Sequence, residues 1–279
     1  MDGLTFGEGP RWHTGRLWYS DFFSHTVFSV APDGTDLREE LSIAGQPSGL
    51  GWLPDGRLLC VSMGNHAVMR RETTGDVVLH ASLEPWISFH ANDMVVDAQG
   101  HAYVGNFGFD LEAYFAREVQ PADTVLLRVD PGGHVQVAAE GLTFPNGMVL
   151  AEDGRTLVVA ETFARRLSAF DVHGGGVLAQ RRVWAPLEGC MPDGICGDAE
   201  GAVWVANAAG AECRRVAEGG AVLERVETTQ PCFACVLGGD DRRTLMCMTA
   251  PTSEPKKLAG KRLGRIETAR VSVPGAGTP

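Results

Sequence analysis

The stretch Gly147–Glu161 reads GMVLAEDGRTLVVAE. Two apolar runs flank an Asp-Gly pair, the strongest short-range signal for a β-hairpin. The figure recurs as GPRWHTGRLWYSD at Gly9–Asp21, GLGWLPDGRLLCVS at Gly49–Ser62 and DMVVDAQGHAYVGN at Asp93–Asn106. It returns as GICGDAEGAVWVAN at Gly194–Asn207 and ACVLGGDDRRTLMCMT at Ala234–Thr249. A unit recurring about every 45 residues marks a repeat architecture.

A third strand is expected after each hairpin, at His25–Val30, Ala67–Arg71, Thr124–Val129, Arg166–Phe170, Cys213–Val216 and Gly264–Thr268. A fourth follows most of these, at Val77–Leu83, Val135–Ala139, Val177–Trp184 and Val222–Thr228. Four antiparallel strands repeated six times predict an all-β fold, a six-bladed β-propeller, closing residues 1–279 into one domain. Only seven residues precede Glu8, so Arg270–Val273 is expected to complete the last blade. The 35 glycines suit this fold, since turns and strand entries use them and helix interiors do not. One short helix is expected, at Leu111–Val119.

Composition excludes several classes of function. With 24 basic and 35 acidic residues the net charge is −11, unfavourable for nucleic acid or an anionic membrane surface. No apolar run is long enough to span a bilayer, and the N-terminal residues lack the basic flank and apolar core of a signal peptide, so a cytoplasmic location is expected. The seven cysteines are expected to be reduced and mostly buried. Cys232-Phe-Ala-Cys235 has the spacing of zinc ligands but no second such pair. No nucleophile elbow, phosphate loop, dinucleotide fingerprint or HExxH motif is present.

The residue just before each first strand is Glu8, Ser48, Asn92, Asn146, Asp193 and Phe233 in turn. First strands of a propeller line its central channel, so this register forms a ring at one mouth. Asn-Gly and Asp-Gly pairs are ordinary turns when taken singly. Together, Glu8, Asn92, Asn146 and Asp193 supply the oxygen donors that suit one divalent ion: calcium, zinc, magnesium or manganese. Few protein ligands would leave room for water and substrate, the mark of a catalytic site.

Glu8 in GEGPRW, Asn146 in FPNGM and Asp193 in PDG resemble the metal motifs of the regucalcin (senescence marker protein) and gluconolactonase family, and the likeness runs from Phe6 to about Gly264. The resemblance implies a six-bladed propeller, one divalent metal held by Glu8, Asn146 and Asp193, and hydrolysis of a lactone or related ester. It also implies that Asn92, in the pair Asn92-Asp93, faces the substrate or completes the ion's shell. Sugar lactonases resembling regucalcin carry arginine two residues before that asparagine; here the position is His90, which puts a sugar specificity in doubt.

Second strands run back to the same mouth, which places Asp21, Asn106, Glu161 and Asn207 near the site. The longest interval between ring residues, Asn92 to Asn146, contains an insertion at Phe107–Asp123. A lid is expected there, with Phe107, Phe109, Phe144 and Trp86 forming an aromatic wall that favours an apolar or aromatic lactone or ester. A second long loop, 250–263, carries Lys256, Lys257, Lys261 and Arg262. It either attracts an anionic substrate or is a solvated charged loop.

The expected chemistry is metal-assisted attack of water on the carbonyl, with Asp193 as general base and the amides of Asn92 and Asn146 steadying the oxyanion. His90, Asn106, Phe107 and Phe144 join Asn92 as candidate substrate contacts, with His90 also a candidate proton shuttle. The expected partner is a small lactone or ester, met by a monomer or weak homodimer. Three alternatives stay open: a non-enzymatic calcium-binding protein, an interaction platform, and a site recruited for another metal-assisted carbonyl reaction.

Overall fold

The computed structural model describes residues 1–151 and 153–277. Glu152, within the fourth expected hairpin, and Thr278 and Pro279, within the expected domain span, lie outside the described residues. Six four-stranded antiparallel sheets form a six-bladed β-propeller. Five blades run in simple chain order, inner strand to outer, and begin at Gly7–His13, Pro47–Trp52, Ala91–Val96, Pro145–Leu150 and Pro192–Gly197. The sixth begins at Cys232–Gly238. Each inner strand packs against its neighbours on both sides, and the sixth packs on the first, which closes the ring.

The hairpin turns form as their aspartates require. In the second blade Gly56 takes φ +85°, its N–H donates to Leu53 O at 2.8 Å, and Arg57 N–H donates to Asp55 Oδ1 at 3.1 Å. Asp97, Asp198 and Asp241 hold their turns the same way. Between blades the core is aliphatic and aromatic: Val95 and Tyr103 of the third blade pack with Met148, Leu157 and Phe170 of the fourth.

Closure differs from the expectation. The outermost strand of the sixth blade is N-terminal, Asp2–Leu4, pairing with Gly264–Arg270 through Asp2↔Arg265 and Leu4↔Gly264. Leu4 is buried, and the Met1 ammonium donates to Ile266 O at 2.8 Å. The C-terminal tail takes another course: Val271 and Val273 are buried, and Gly275 bridges to Asp198 of the fifth blade. Three residues suffice for an edge strand anchored by one apolar side chain, a signal too short for periodicity to register.

Helix is scarce. Helix α1 spans Leu111–Phe115, capped by Asp110, whose carboxylate accepts from Ala113 N–H at 3.0 Å. Helix α2 spans Pro255–Leu258 and starts on proline, which needs no N–H partner in a first turn. They belong to the third and sixth blades, on opposite sides of the ring.

Candidate active site

In every blade the ladder between first and second strands shifts register at the ring residue, as between Glu8 and Arg11, Ala91 and Met94, Pro145 and Met148, and Pro192 and Ile195. Such bulges unpair one residue and re-aim its side chain. The inner strands also come unusually close here. A Cβ on Gly147 would stand 2.5 Å from Ile195 N and 2.6 Å from Asp193 O, and one on Gly194 would stand 2.6 Å from Ala234 Cα. The glycines after Asn146 and Asp193 therefore permit this close approach of the inner strands.

Above the ring lies a cavity of about 630 Å³. Glu8, Asn92, Asn146 and Asp193 all line it, as do His90, Phe107 and Phe144. Glu8 and Asp193 are buried, and neither forms a salt bridge among the described residues. Burial pushes the Glu8 carboxyl well above its usual range, and the nearby charges of Asp193 and Asp93 push it further. Burial likewise raises Asp193, and a hydrogen bond from Asn146 offsets only part of this.

The two asparagines are oriented differently. Thr162 donates its hydroxyl hydrogen to Pro192 O at 2.7 Å, so toward Asn146 it can only accept, and Asn146 Nδ2 donates to it at 3.1 Å. No hydrogen bond among the described residues occupies the Asn146 Oδ1, which leaves that oxygen for another partner. Asn92 is buried, and its Nδ2 has no hydrogen-bond partner among the described residues. A buried orphan donor beside two unpaired carboxylates is the signature of a site built for a ligand. The hard, anionic oxygen donors of Glu8 and Asp193 with the Asn146 amide oxygen fit a divalent cation.

Deeper in the channel a third carboxylate is satisfied. Asp93 Oδ1 accepts from Arg11 at 2.9 Å, and that guanidinium also donates to Leu50 O and Met94 O, tying three inner strands together. Neither residue was singled out for this bracing role by the sequence reading, which saw Asp93 only as the partner of Asn92.

Asn106 does not reach the cavity, contrary to expectation. Its Nδ2 donates to Val125 O at 2.7 Å and its Oδ1 accepts from Thr124 at 2.7 Å, so both ends brace the third strand of its own blade. Asp21, Glu161 and Asn207 are spent similarly: each accepts from backbone N–H groups at the entry to its blade's first strand, those of Phe6, Thr143 and Met191. Trp86 also stays out of the wall and is solvent-exposed. The CxxC pair divides rather than chelates: the Cys232 sulfur lies within 4.8 Å of those of Cys213 and Cys247, while the Cys235 thiol faces Cys196 at 3.9 Å. These thiols pack with Trp204, Leu237 and Leu245 between blades, away from the cavity. All seven cysteines are free.

The sequence reading overlooked a second ring. Counting back two residues from each ring position gives Phe6, Gln46, His90, Phe144, Met191 and Pro231, the first five of which line the cavity. Each of the five stands one residue before its first strand begins, so they share a register in the sequence without the alternation of a strand. Phe144 sits at φ +58°, a left-handed backbone uncommon for an aromatic residue. His90 stacks on Phe107 with centroids 5.6 Å apart, and loss of water contact followed by the neighbouring His66 lowers its pKa.

The expected helix forms as α1, shorter than Leu111–Val119, and lines the cavity. Phe109, Tyr114, Phe144 and Phe163 pack edge-on or tilted with centroids 4.9–5.8 Å apart, and Phe107 stacks on Phe144 at 4.5 Å. The loop carrying α2 meets α1, with Lys256 paired to Glu112 at 3.2 Å. Lys257 pairs with Glu254 and Lys261 donates to Lys257 O, so these cations do not enter the cavity.

No helix of the described residues is long and apolar enough to cross a membrane. Known proteins agree with this architecture. The chain is 29% identical to a pentonolactonase of Haloferax volcanii, with 88% of this chain and 81% of the relative covered. It is also 29% identical to a 6-deoxy-6-sulfogluconolactonase of Pseudomonas putida, with 99% and 94% covered. Among solved structures, a gluconolactonase of Xanthomonas campestris superposes with TM-score 0.75 at 25% identity, over 90% of this chain and 85% of that one. A luciferin-regenerating enzyme shares the fold with TM-score 0.82 at 18% identity, over 99% and 94%. The family model described as the SMP-30/gluconolactonase/LRE-like region matches residues 6–251, and the chain belongs to that family.

Proposed function

We propose that residues 1–279, as one propeller domain, catalyse the hydrolysis of a lactone or related ester with the help of one divalent cation. The observation that carries this reading is the pair of buried carboxylates, Glu8 and Asp193, that face the cavity with no basic partner. Both are in the ring with an available amide oxygen on Asn146, and the relatives are lactonases by name.

Glu8, Asn146 and Asp193 would hold the ion. When bound, a divalent cation polarises a carbonyl and makes water acidic enough to attack it at neutral pH. Thr162 engages the Asn146 amide nitrogen, which leaves the amide oxygen to serve a cation were one bound. Asp193 takes the proton from the attacking water. Asn92 Nδ2, with no other partner, donates to the developing oxyanion. Asn146 Nδ2 is already engaged by the Thr162 hydroxyl, so this role falls first to Asn92. His90, at the mouth and kept mainly neutral, orients the substrate or carries the proton outward.

The test is lactone hydrolysis by protein stripped with a chelator and then resupplied with calcium, manganese, magnesium or zinc. The reading expects activity lost on stripping and restored by at least one ion. Full turnover by metal-free protein would contradict it.

A further inference from the structure

The cavity is lined in a way that ring chemistry alone does not require. Of the twelve phenylalanines in the chain, ten line it. They converge from different blades: Phe107 and Phe109 from the third, Phe144 and Phe163 from the fourth, Phe6 from the first and Phe233 from the sixth. Phe6 packs on Phe233 and Phe22 with centroids 4.8 and 5.3 Å apart, forming a second aromatic cluster besides the one under α1. Among the described residues no lysine or arginine lines the cavity, while Asp110 and Glu112 add acidic charge at its mouth. The polar side chains of the upper ring are only Gln46 and His90.

Two physical consequences follow. A polyhydroxylated lactone would leave water for a wall with few hydrogen-bond partners, and each hydroxyl left unpaired weakens binding. An anionic substituent would meet Asp110 and Glu112, of which only Glu112 has a cation beside it among the described residues, the largely exposed Lys256. An aromatic or other uncharged apolar substituent would bury its surface against aromatic faces and gain on both counts.

We infer that the aromatic cavity above the Glu8, Asn146 and Asp193 ring selects an uncharged lactone with an aromatic or apolar substituent, and discriminates against polyhydroxylated and anionic sugar lactones. This inference rests on the proposed hydrolysis for its kinetic form, and on the cavity alone for its binding form.

The experiment has two arms. In the first, the metal-loaded protein is assayed with 5-phenyl-δ-valerolactone, its para-carboxylated counterpart and D-glucono-1,5-lactone, each kcat/KM taken relative to the uncatalysed rate. The expected order places the phenyl lactone at least about 100-fold above gluconolactone and at least about 10-fold above the carboxylated probe. Gluconolactone equal to or better than the phenyl lactone overturns the inference. In the second arm, binding of the phenyl lactam and of gluconolactam, which resist hydrolysis, is measured by calorimetry. If no lactone is turned over but the phenyl lactam binds at least 10-fold tighter, the hydrolysis reading fails and the cavity inference stands; tighter gluconolactam, or no binding of either, overturns the inference. Phe163→Ala, at a partly exposed position, is expected to narrow the phenyl preference at least fivefold, with Phe107→Ala as a second variant should the first fail to fold. Phe28→Leu, outside the cavity, should leave it unchanged. A preference unmoved in both cavity variants overturns the inference.

Discussion

Glu161 and Glu8 are both buried glutamates, and they are treated in opposite ways. Glu161 is fully enclosed and accepts hydrogen bonds from Arg166, Arg181, Ser168 and the Thr143 N–H. Burial raises its pKa, but Arg166, Ser168 and Thr143 together hold it below the ordinary value. Glu8 has one N–H, that of Gly9 at 3.2 Å, and its pKa is raised. A carboxylate that serves the fold is surrounded by donors; one that serves a ligand is left wanting a cation. Removing the first should damage the protein, and removing the second should damage only its activity.

The largest effect is expected from Asp193→Asn, with Glu8→Gln close behind. Either should lower kcat/KM by about 10²–10³-fold or more. The metal-free protein should become slightly more stable, by about 1 kcal/mol, because a buried charge without a partner is removed. Denaturant midpoints alongside rates check this; a large loss of stability would blur the contrast.

Glu161→Gln should do the reverse. It should cost about 2 kcal/mol, less than a fully buried pair because Arg166 and Arg181 are each about a third exposed, at 33% and 29%. Activity of the folded fraction should stay near wild type. The pH dependence has a definite sign. With its folded pKa lowered, Glu161 contributes stability that is full above its unfolded pKa of roughly 4.3 and fades as pH falls through the folded value. The Gln variant should therefore show a shallower decline in stability below about pH 4.5.

An intermediate effect is expected from Thr162→Val, which removes the acceptor orienting Asn146. Ion affinity should fall about tenfold with the fold intact. The smallest belongs to Lys256→Ala. Its pairing with Glu112 joins the two loops over the mouth, but the side chains are 87% and 54% exposed, so stability should change by less than about 0.5 kcal/mol.

The comparison also explains how far the sequence could be read. The blades were legible because hairpin turns and period-two alternation are local signals, and the ring was legible because it shares a register with them. Asn106, Asp21, Glu161 and Asn207 were placed near the site on the same logic, and there it fell short. A strand-end polar residue reaches either the channel or its own blade's backbone, and only tertiary packing decides which. Glu161 and Glu8 differ in their partners, Arg166 and Arg181 against none, and Arg181 is not local to Glu161. The closing strand Asp2–Leu4 escaped because three residues carry no period. The ring at Phe6, Gln46, His90, Phe144 and Met191 lies in the segments that enter the first strands, where no strand period applies.

The central claim is that Glu8 and Asp193 are buried without a basic partner among the described residues because a divalent cation completes them. Calorimetric titration of chelator-stripped wild type and of the double variant Glu8→Gln, Asp193→Asn with calcium, manganese and zinc tests it most directly. The account predicts one ion per chain in the wild type and none at the same concentrations in the double variant. Equal binding by the two proteins, or none by either, would contradict it.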